Sequence, residues 1–209
     1  MRLVGAGGQV RLDNFYDASG TIAAGGTAQL ALAQSPARSY LYIQNNGADT
    51  LWVEIGPPRA HATVSNGVVT GISVDNAGFG FSYPPRVLLM GGGAPPTQTL
   101  FLGIGQPEAW SPPHPATASA VMTGSAPNQS VASFTINDPG AGYVCAPYVA
   151  LINDRNDPNG CAIPSSANAG AFRIDAGKYL EWNGTVCPTG PVAIFGPTTS
   201  AAYTLKYLD

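Results

Sequence analysis

Charge is scarce in this chain. Asp, Glu, Lys and Arg make up only 10% of its 209 residues, well below the quarter or so usual in soluble domains. Lysine is nearly missing, with Lys178 and Lys206 alone, and the net charge is -3. No nucleic-acid partner is expected, because phosphate recognition needs clustered Lys and Arg. Long apolar runs are missing too. None approaches the roughly 18 residues of a membrane helix, so no membrane partner is expected. The opening stretch "MRLVGAGGQVRLDNF" has no apolar h-region, so no secretory signal is expected. Cysteine is limited to Cys145, Cys161 and Cys187, with no CxxC. Free thiols in a reducing cytosol are the expectation, and a Cys145–Cys161 bridge would need an oxidising compartment.

Helical periodicity is the last absence. Apolar residues at i, i+3, i+4, i+7 persist for three turns nowhere. What is present is glycine (26 residues), proline (19 residues) and alternation. In "SYLYIQ" (39–44) Leu41 and Ile43 share one face, and Tyr40 and Tyr42 the other. In "LWVEIG" (51–56) Leu51, Val53 and Ile55 oppose Trp52 and Glu54. With "NNGAD" between them, the pair predicts a β-hairpin. "AFRIDAGKYLEWNG" (171–184) predicts two more strands around Ala176-Gly177, and "PVAIFG" and "AAYTLKYLD" supply the last ones. "SGTIAAGGTAQLALA" (19–33) supplies strand material near the start.

Residues 19–58 and 166–209 therefore predict one β-sandwich, because a sheet needs several strands to be stable. Residues 1–18 form an N-terminal arm, in which Leu3, Val4, Val10 and Leu12 could add a strand to an adjacent subunit. The Pro/Gly-rich junctions "GPPRA" and "NDPNGCAIPSSANAG" bound an inserted second β domain, residues 59–165. The fold class is all-β.

The insertion holds one unit twice. "NGVVTGISVDNAGFGFSYPPRVLLM" (66–90) aligns without a gap on "NQSVASFTINDPGAGYVCAPYVALI" (128–152). Gly78, Gly80, Phe81 and Pro85 meet Gly140, Gly142, Tyr143 and Pro147. Ile72 and Val74 match Phe134 and Ile136 in face as well as position, and a one-residue slip would reverse the face. The alternating small residues of "AHATVS" and "ATASAVMT" precede the two copies. Two copies predict a pseudo-symmetric pair rather than a solenoid. "GFGFSYPP" opens like a phosphate loop, but that loop needs a following helix. Here prolines and a strand follow, so the glycines read as backbone turns with positive φ.

Chemistry is hard to find. His61 and His114 have no Cys, Asp or Glu at metal-ligand spacing; they read as a strand-face residue and a loop residue. Glu54 and Glu181 each neighbour a tryptophan, which invites a glycosidase pair; two solvent-facing acids at strand edges is the plainer expectation. "NDRNDPNG" (153–160) lacks the ligand pattern of an EF-hand and reads as an Asx-rich turn. No catalytic residue, cofactor or metal is expected.

Two patterns carry a resemblance. "NGVVTGISVDNAGFGFSYPPRVLL" resembles a repeat frequent in structural proteins of tailed bacteriophages. "ARSYLYIQNNGADTLWVEIG", with "IDAGKYLEWNGTVCPTGPVAIFG", is similar to a second phage pattern. In that pattern an Arg leads into an apolar-Gln-Asn strand. A Gly-x-Tyr-x-x-Trp strand, a Pro-Thr-Gly turn and a final apolar strand follow. The resemblance implies a virion protein made in the bacterial cytoplasm. Within that class it implies a capsid decoration (cement) protein at the capsid surface, a homotrimer or homodimer on the major capsid protein. The alternative is a tail-tip or fibre-associated protein binding a host glycan. Tyr40, Tyr42, Trp52 and Trp110 are the candidate interface residues, since aromatics concentrate at interface centres.

Overall fold

The computed structural model describes residues 15–93, 114–154, 156–164 and 170–209. Trp110 and residues 1–14 of the arm lie outside the described residues. The described chain is all-β, with a single 3-10 turn, Gly184–Val186, as its helical element.

Strands β1 (Tyr16–Asp17), β2 (Gly20–Thr21), β3 (Gln29–Leu32), β4 (Tyr40–Asn45) and β5 (Leu51–Ile55) come first. After the insertion come β12 (Phe172–Ile174), β13 (Tyr179–Asn183), β14 (Val192–Phe195) and β15 (Ala202–Leu208). They form two antiparallel sheets. Sheet A has the order β1-β15-β4-β13, with β2 also on β15, and sheet B the order β12-β5-β14-β3. The alternating apolar residues of both fill one core. Leu41, Ile43 and Leu205 from sheet A meet Leu51, Val53, Val192 and Ile194 from sheet B, all fully buried.

The expected hairpins are absent from this sandwich among the described residues. β4 pairs with β13 and β15, not with β5. β12 pairs with β5, not with β13. The residues after β4 and before β13 are corners that carry the chain from one sheet to the other. The reason lies in Asn45, which is fully buried. Its Nδ2 donates to Asp49 O (2.7 Å) and Ile174 O (2.9 Å), and its Oδ1 accepts from Gly47 N–H (2.9 Å). Its backbone also pairs with Lys178 O and Gly177 N–H. One side chain thus satisfies both corners at once. Alternation shows which face is buried, but not whether the next strand returns in the same sheet or crosses the core.

The inserted strands are β6 (Arg59–Ser65), β7 (Val68–Asn76), β8 (Arg86–Met90), β9 (Thr117–Thr123), β10 (Ser130–Asp138) and β11 (Tyr148–Ile152). Since β5 and β12 are neighbours, the insertion occupies the tip of a hairpin, where the chain leaves and returns at adjacent points. The six strands form one antiparallel sheet, order β10-β9-β8-β11-β6-β7. It curls until its outer strands meet. Val69 N–H bonds Pro139 O and Val131 N–H bonds Ala77 O, each at 2.9 Å, so the barrel is nearly closed. Small barrels fill their interior with side chains. That explains the alanines: Ala60, Ala62, Ala118 and Ala120 point inward, around Val69, Val87, Val149 and Leu151.

The duplication is a pseudo-twofold in the hydrogen bonding itself. At the centre Leu88 opposes Ala150, flanked by Val87–Leu151 and Leu89–Val149. His61 opposes Tyr148 as Ser119 opposes Arg86. Even the bulges repeat. The register shifts between Val69 and Gly71 on β7, where Thr70 is the extra residue, and at the matching step, Val131 to Ser133, on β10.

Candidate functional site

The two Gly-x-Gly-aromatic loops are the first sequence feature to suggest a site. All four glycines have positive φ: Gly78 (65°), Gly80 (81°), Gly140 (66°) and Gly142 (84°). Pro85 and Pro147 immediately precede β8 and β11. Phe81 is fully buried, and Tyr143 is buried with its hydroxyl accepting from Ala116 N–H at 2.7 Å. The loops do present paired backbone amides. Ser82 and Tyr83 N–H donate to Asp157 Oδ2 at 2.6 and 2.9 Å. In the second copy Val144 and Cys145 N–H donate to Gly92 O. Each amide pair is thus filled from within the chain. The carboxylate comes from the "NDRNDPNG" stretch, in which Asp154 Oδ1 also caps Asn156 N–H at 2.8 Å.

The acids and histidines separate in space. Glu54 is not a solvent-facing acid, which corrects the sequence expectation. It is buried, paired with Arg59 at 2.7 Å, and Gly170 packs against that guanidinium. The barrel's attachment covers the outer side of β5 there, which local alternation could not reveal. Glu181 is exposed on β13, in the other sheet. The histidines find acids only through folding: His61 Nδ1 lies 2.6 Å from Asp75 and His114 Nε2 3.1 Å from Asp138. Among the described residues no group of three or more His, Cys, Asp and Glu could hold a metal.

The cysteines are free thiols, Cys145 exposed and the other two buried. Burial pushes Cys161 up to about 12. The native state keeps a proton that the unfolded chain releases from about pH 9 upward. Stability is therefore lost as pH rises from there towards the native value. Iodoacetamide at pH 8 is expected to label Cys145 alone in the native protein and all three thiols in urea, read by mass spectrometry.

The outer face of sheet A is the exposed feature with the most organised chemistry. β4 turns Tyr40 and Tyr42 outward, as their alternation predicts, and their neighbours extend the surface. Phe15 packs edge-on against Tyr40 (5.0 Å), and Tyr179 of β13 lies against Tyr42 at 5.3 Å and 30°. Register sets a polar row between the rings. Asp17 opposes Lys206, Lys206 opposes Tyr42, and Tyr42 opposes Glu181. The ring hydroxyls are tied down: Tyr40 donates to Glu181 Oε1 (3.2 Å) and Tyr42 to Gln44 Oε1 (3.0 Å). Burial and then the Glu181 charge push Tyr40 up to about 12. The Lys206 ammonium, hydrogen-bonded to Asp17, holds that carboxyl well below the usual range. A groove of about 360 Å³ runs between Phe15, Tyr40, Tyr42 and Lys206.

No family model matches the chain, and no curated protein or solved structure matches it.

Trp52 lies on β5 in sheet B, so the fold does not join it to Tyr40 and Tyr42. Trp110 lies outside the described residues. Phe15 and Tyr179 are not singled out by the sequence reading. Tyr179 carries a signal, since Tyr179, Glu181 and Asn183 alternate with the inward Leu180 and Trp182. Phe15 carries none, because its place depends on β1 pairing with the far end of the chain.

Proposed function

We propose that this chain is a non-catalytic structural protein of a tailed-bacteriophage virion, a capsid decoration protein. It binds the assembled shell as a homotrimer or homodimer and bridges major capsid subunits, with the outer face of sheet A as a contact surface. One observation carries the reading. The residues of the second phage-type pattern, far apart in sequence, interlock as a single brace. Arg38 Nη1 donates to Pro188 O and Gly190 O in the Pro-Thr-Gly turn, at 3.1 and 2.7 Å. Asn45 ties the corner after β4 to the corner holding Gly177. A pattern that serves one fold unit in this way supports a shared fold with the proteins it resembles. The clustered rings of Phe15, Tyr40, Tyr42 and Tyr179 add a surface of the composition that protein contacts use.

The second reading is a tail-tip or fibre-associated protein that binds a host glycan. It is favoured by the polar row, since Lys206 and Glu181 beside aromatic rings suit a hydroxylated ligand, whereas charge is depleted at the centre of protein interfaces. Purified protein mixed with capsids lacking it decides between them. Saturable binding at hundreds of copies per head, with a raised disruption temperature, is expected, and Tyr42→Asp weakens it. No binding, or a handful of copies confined to tails, would sink the decoration reading.

A further inference from the structure

The two copies of the barrel unit share a hydrogen-bond pattern but not an outer surface. A second bulge repeats in each copy and carries a polar residue. Asp75 is the extra residue between Val74 and Asn76 on β7, and Asn137 the extra residue between Ile136 and Asp138 on β10. Bulges re-aim a side chain. Each of these two reaches a neighbour on the adjacent strand: Asp75 Oδ1 lies 2.6 Å from His61 Nδ1, and Asn137 Nδ2 donates to Ser119 Oγ at 2.8 Å. His61 opposes Tyr148, and Ser119 opposes Arg86. Arg59 and Thr117 complete the series, opposite Asn76 and Asp138. Equivalent backbone positions thus hold Arg, His, Asp and Tyr in one place and Thr, Ser, Asn and Arg in the other.

The sandwich adds a wall to the first of these places. Pro57 and Pro58, between β5 and β6, help to close a pocket of about 410 Å³ that Arg59, Asp75 and Tyr148 also line. That volume lies in the range that holds a small ligand.

The lining selects a class of ligand. Tyr148 offers an aromatic ring that is 69% exposed. Asp75 Oδ1 is held by His61, and its Oδ2 has no donor among the described residues. Glu54 takes Nη1 (2.7 Å) and Nη2 (3.5 Å) of Arg59, which orients the guanidinium and leaves Nε–H to donate. In a chain of which only 10% is charged, Glu54, Arg59, His61 and Asp75 gather here. Their charges are matched, because the guanidinium already faces the Glu54 carboxylate. An anionic ligand finds no spare cation and meets the Asp75 carboxylate. A pyranose fits both sides of the lining. Its C–H face packs on an aromatic ring, and its hydroxyls donate to a carboxylate and accept from a guanidinium. Hydrogen bonds to charged groups are the strong kind.

We propose that the pocket at the joint between sandwich and barrel binds a neutral saccharide, with one pyranose stacked on Tyr148 and its hydroxyls held by Asp75 and Arg59. The pocket takes a wall from Ile55 of sheet B, not from the outer face of sheet A. The inference therefore rests on neither reading of the function proposed above.

The test uses the full-length protein and the methyl glycosides of glucose, galactose, mannose, rhamnose and N-acetylglucosamine, read by saturation-transfer NMR. At least one is expected to bind saturably, with the strongest transfer to its ring C–H protons. Tyr148→Ala and Asp75→Asn are each expected to weaken it at least about ten-fold, the size of a lost hydrogen bond to a charged group or a lost stacking face. The triple variant His61→Ser, Asp75→Asn, Tyr148→Arg is expected to abolish binding without lowering the melting temperature, because those side chains already occupy the equivalent places in the second copy. Tyr42→Asp on sheet A is expected to bind as the wild type does. No binding of any glycoside up to about 10 mM would overturn the proposal. So would binding that survives both Tyr148→Ala and the triple variant, or binding lost only in Tyr42→Asp, which would place the saccharide on sheet A. Capsid binding is read separately and responds to Tyr42→Asp, so either proposal can fail without the other.

Discussion

Arg38→Met lowers the thermal midpoint of the sandwich by roughly 10 °C. Arg38 lies just before β4, and its guanidinium is buried among backbone carbonyls. Nη1 reaches Pro188 O and Gly190 O, and Nη2 donates to Ala33 O at 2.6 Å. These three carbonyls belong to the segments before β4 and before β14, which are also joined by Ser35 N–H donating to Thr189 O at 3.0 Å. Methionine keeps most of the volume but leaves three acceptors without a donor in a place poorly open to water. Hydrogen bonds to a charged group contribute about 1.5–3 kcal/mol each, so losing this set costs on the order of 3–5 kcal/mol. At about 2–4 °C per kcal/mol for a chain of this size, that gives the expected fall. Arg38→Lys recovers only part of it, because an ammonium lacks the planar fork that addresses three carbonyls at once. A scan in which Arg38→Met melts within a degree or two of the wild type would show that the brace contributes little.

Phe81→Ala destabilises the barrel by about 3–5 kcal/mol, the usual cost of emptying a buried aromatic site. The ring is fully buried and lies so close to Gly160 that a Cβ there would overlap it. The surroundings cannot collapse into the space, because both flanking elements are fixed. Asp157 holds the amides after Phe81, and Cys161 pairs through its backbone with Phe79. The pseudo-symmetric partner provides the control. Tyr143→Phe keeps the ring and removes only the hydroxyl that accepts from Ala116 N–H, at about 1–3 kcal/mol for the orphaned amide. Urea unfolding of the two variants should therefore rank Phe81→Ala clearly below Tyr143→Phe. Equal losses would mean that the loop hydrogen bonds, not the ring, support the turn.

Much of the barrel was legible in the sequence. The repeats at 66–90 and 128–152 correspond to β7 and β10, then β8 and β11, strand for strand. Gapless duplication sets the two copies in one register, because a slip would turn Ile72 in one copy and Phe134 and Ile136 in the other away from the core. What followed each copy was not legible. The slot beside Phe79 is taken by Cys161, after β11, whereas the slot beside Ala141 is taken by His114, before β9. Identical loops are thus completed by different parts of the chain.

The sandwich divides the same way. Sequence alone determined its strands and the inward faces of Leu41, Ile43, Leu51, Val53 and Leu205, because alternation is a local consequence of the pleat. It also determined that Tyr40 and Tyr42 point outward. Only the tertiary structure decided that β4 crosses to the other sheet rather than folding back, that Glu54 is covered, and that Phe15, Tyr179 and Glu181 join Tyr40 and Tyr42 on one surface. Each of those outcomes depends on a partner far along the chain, or on the insertion packing over sheet B, and a side-chain pattern read along the chain carries no information about distance across it.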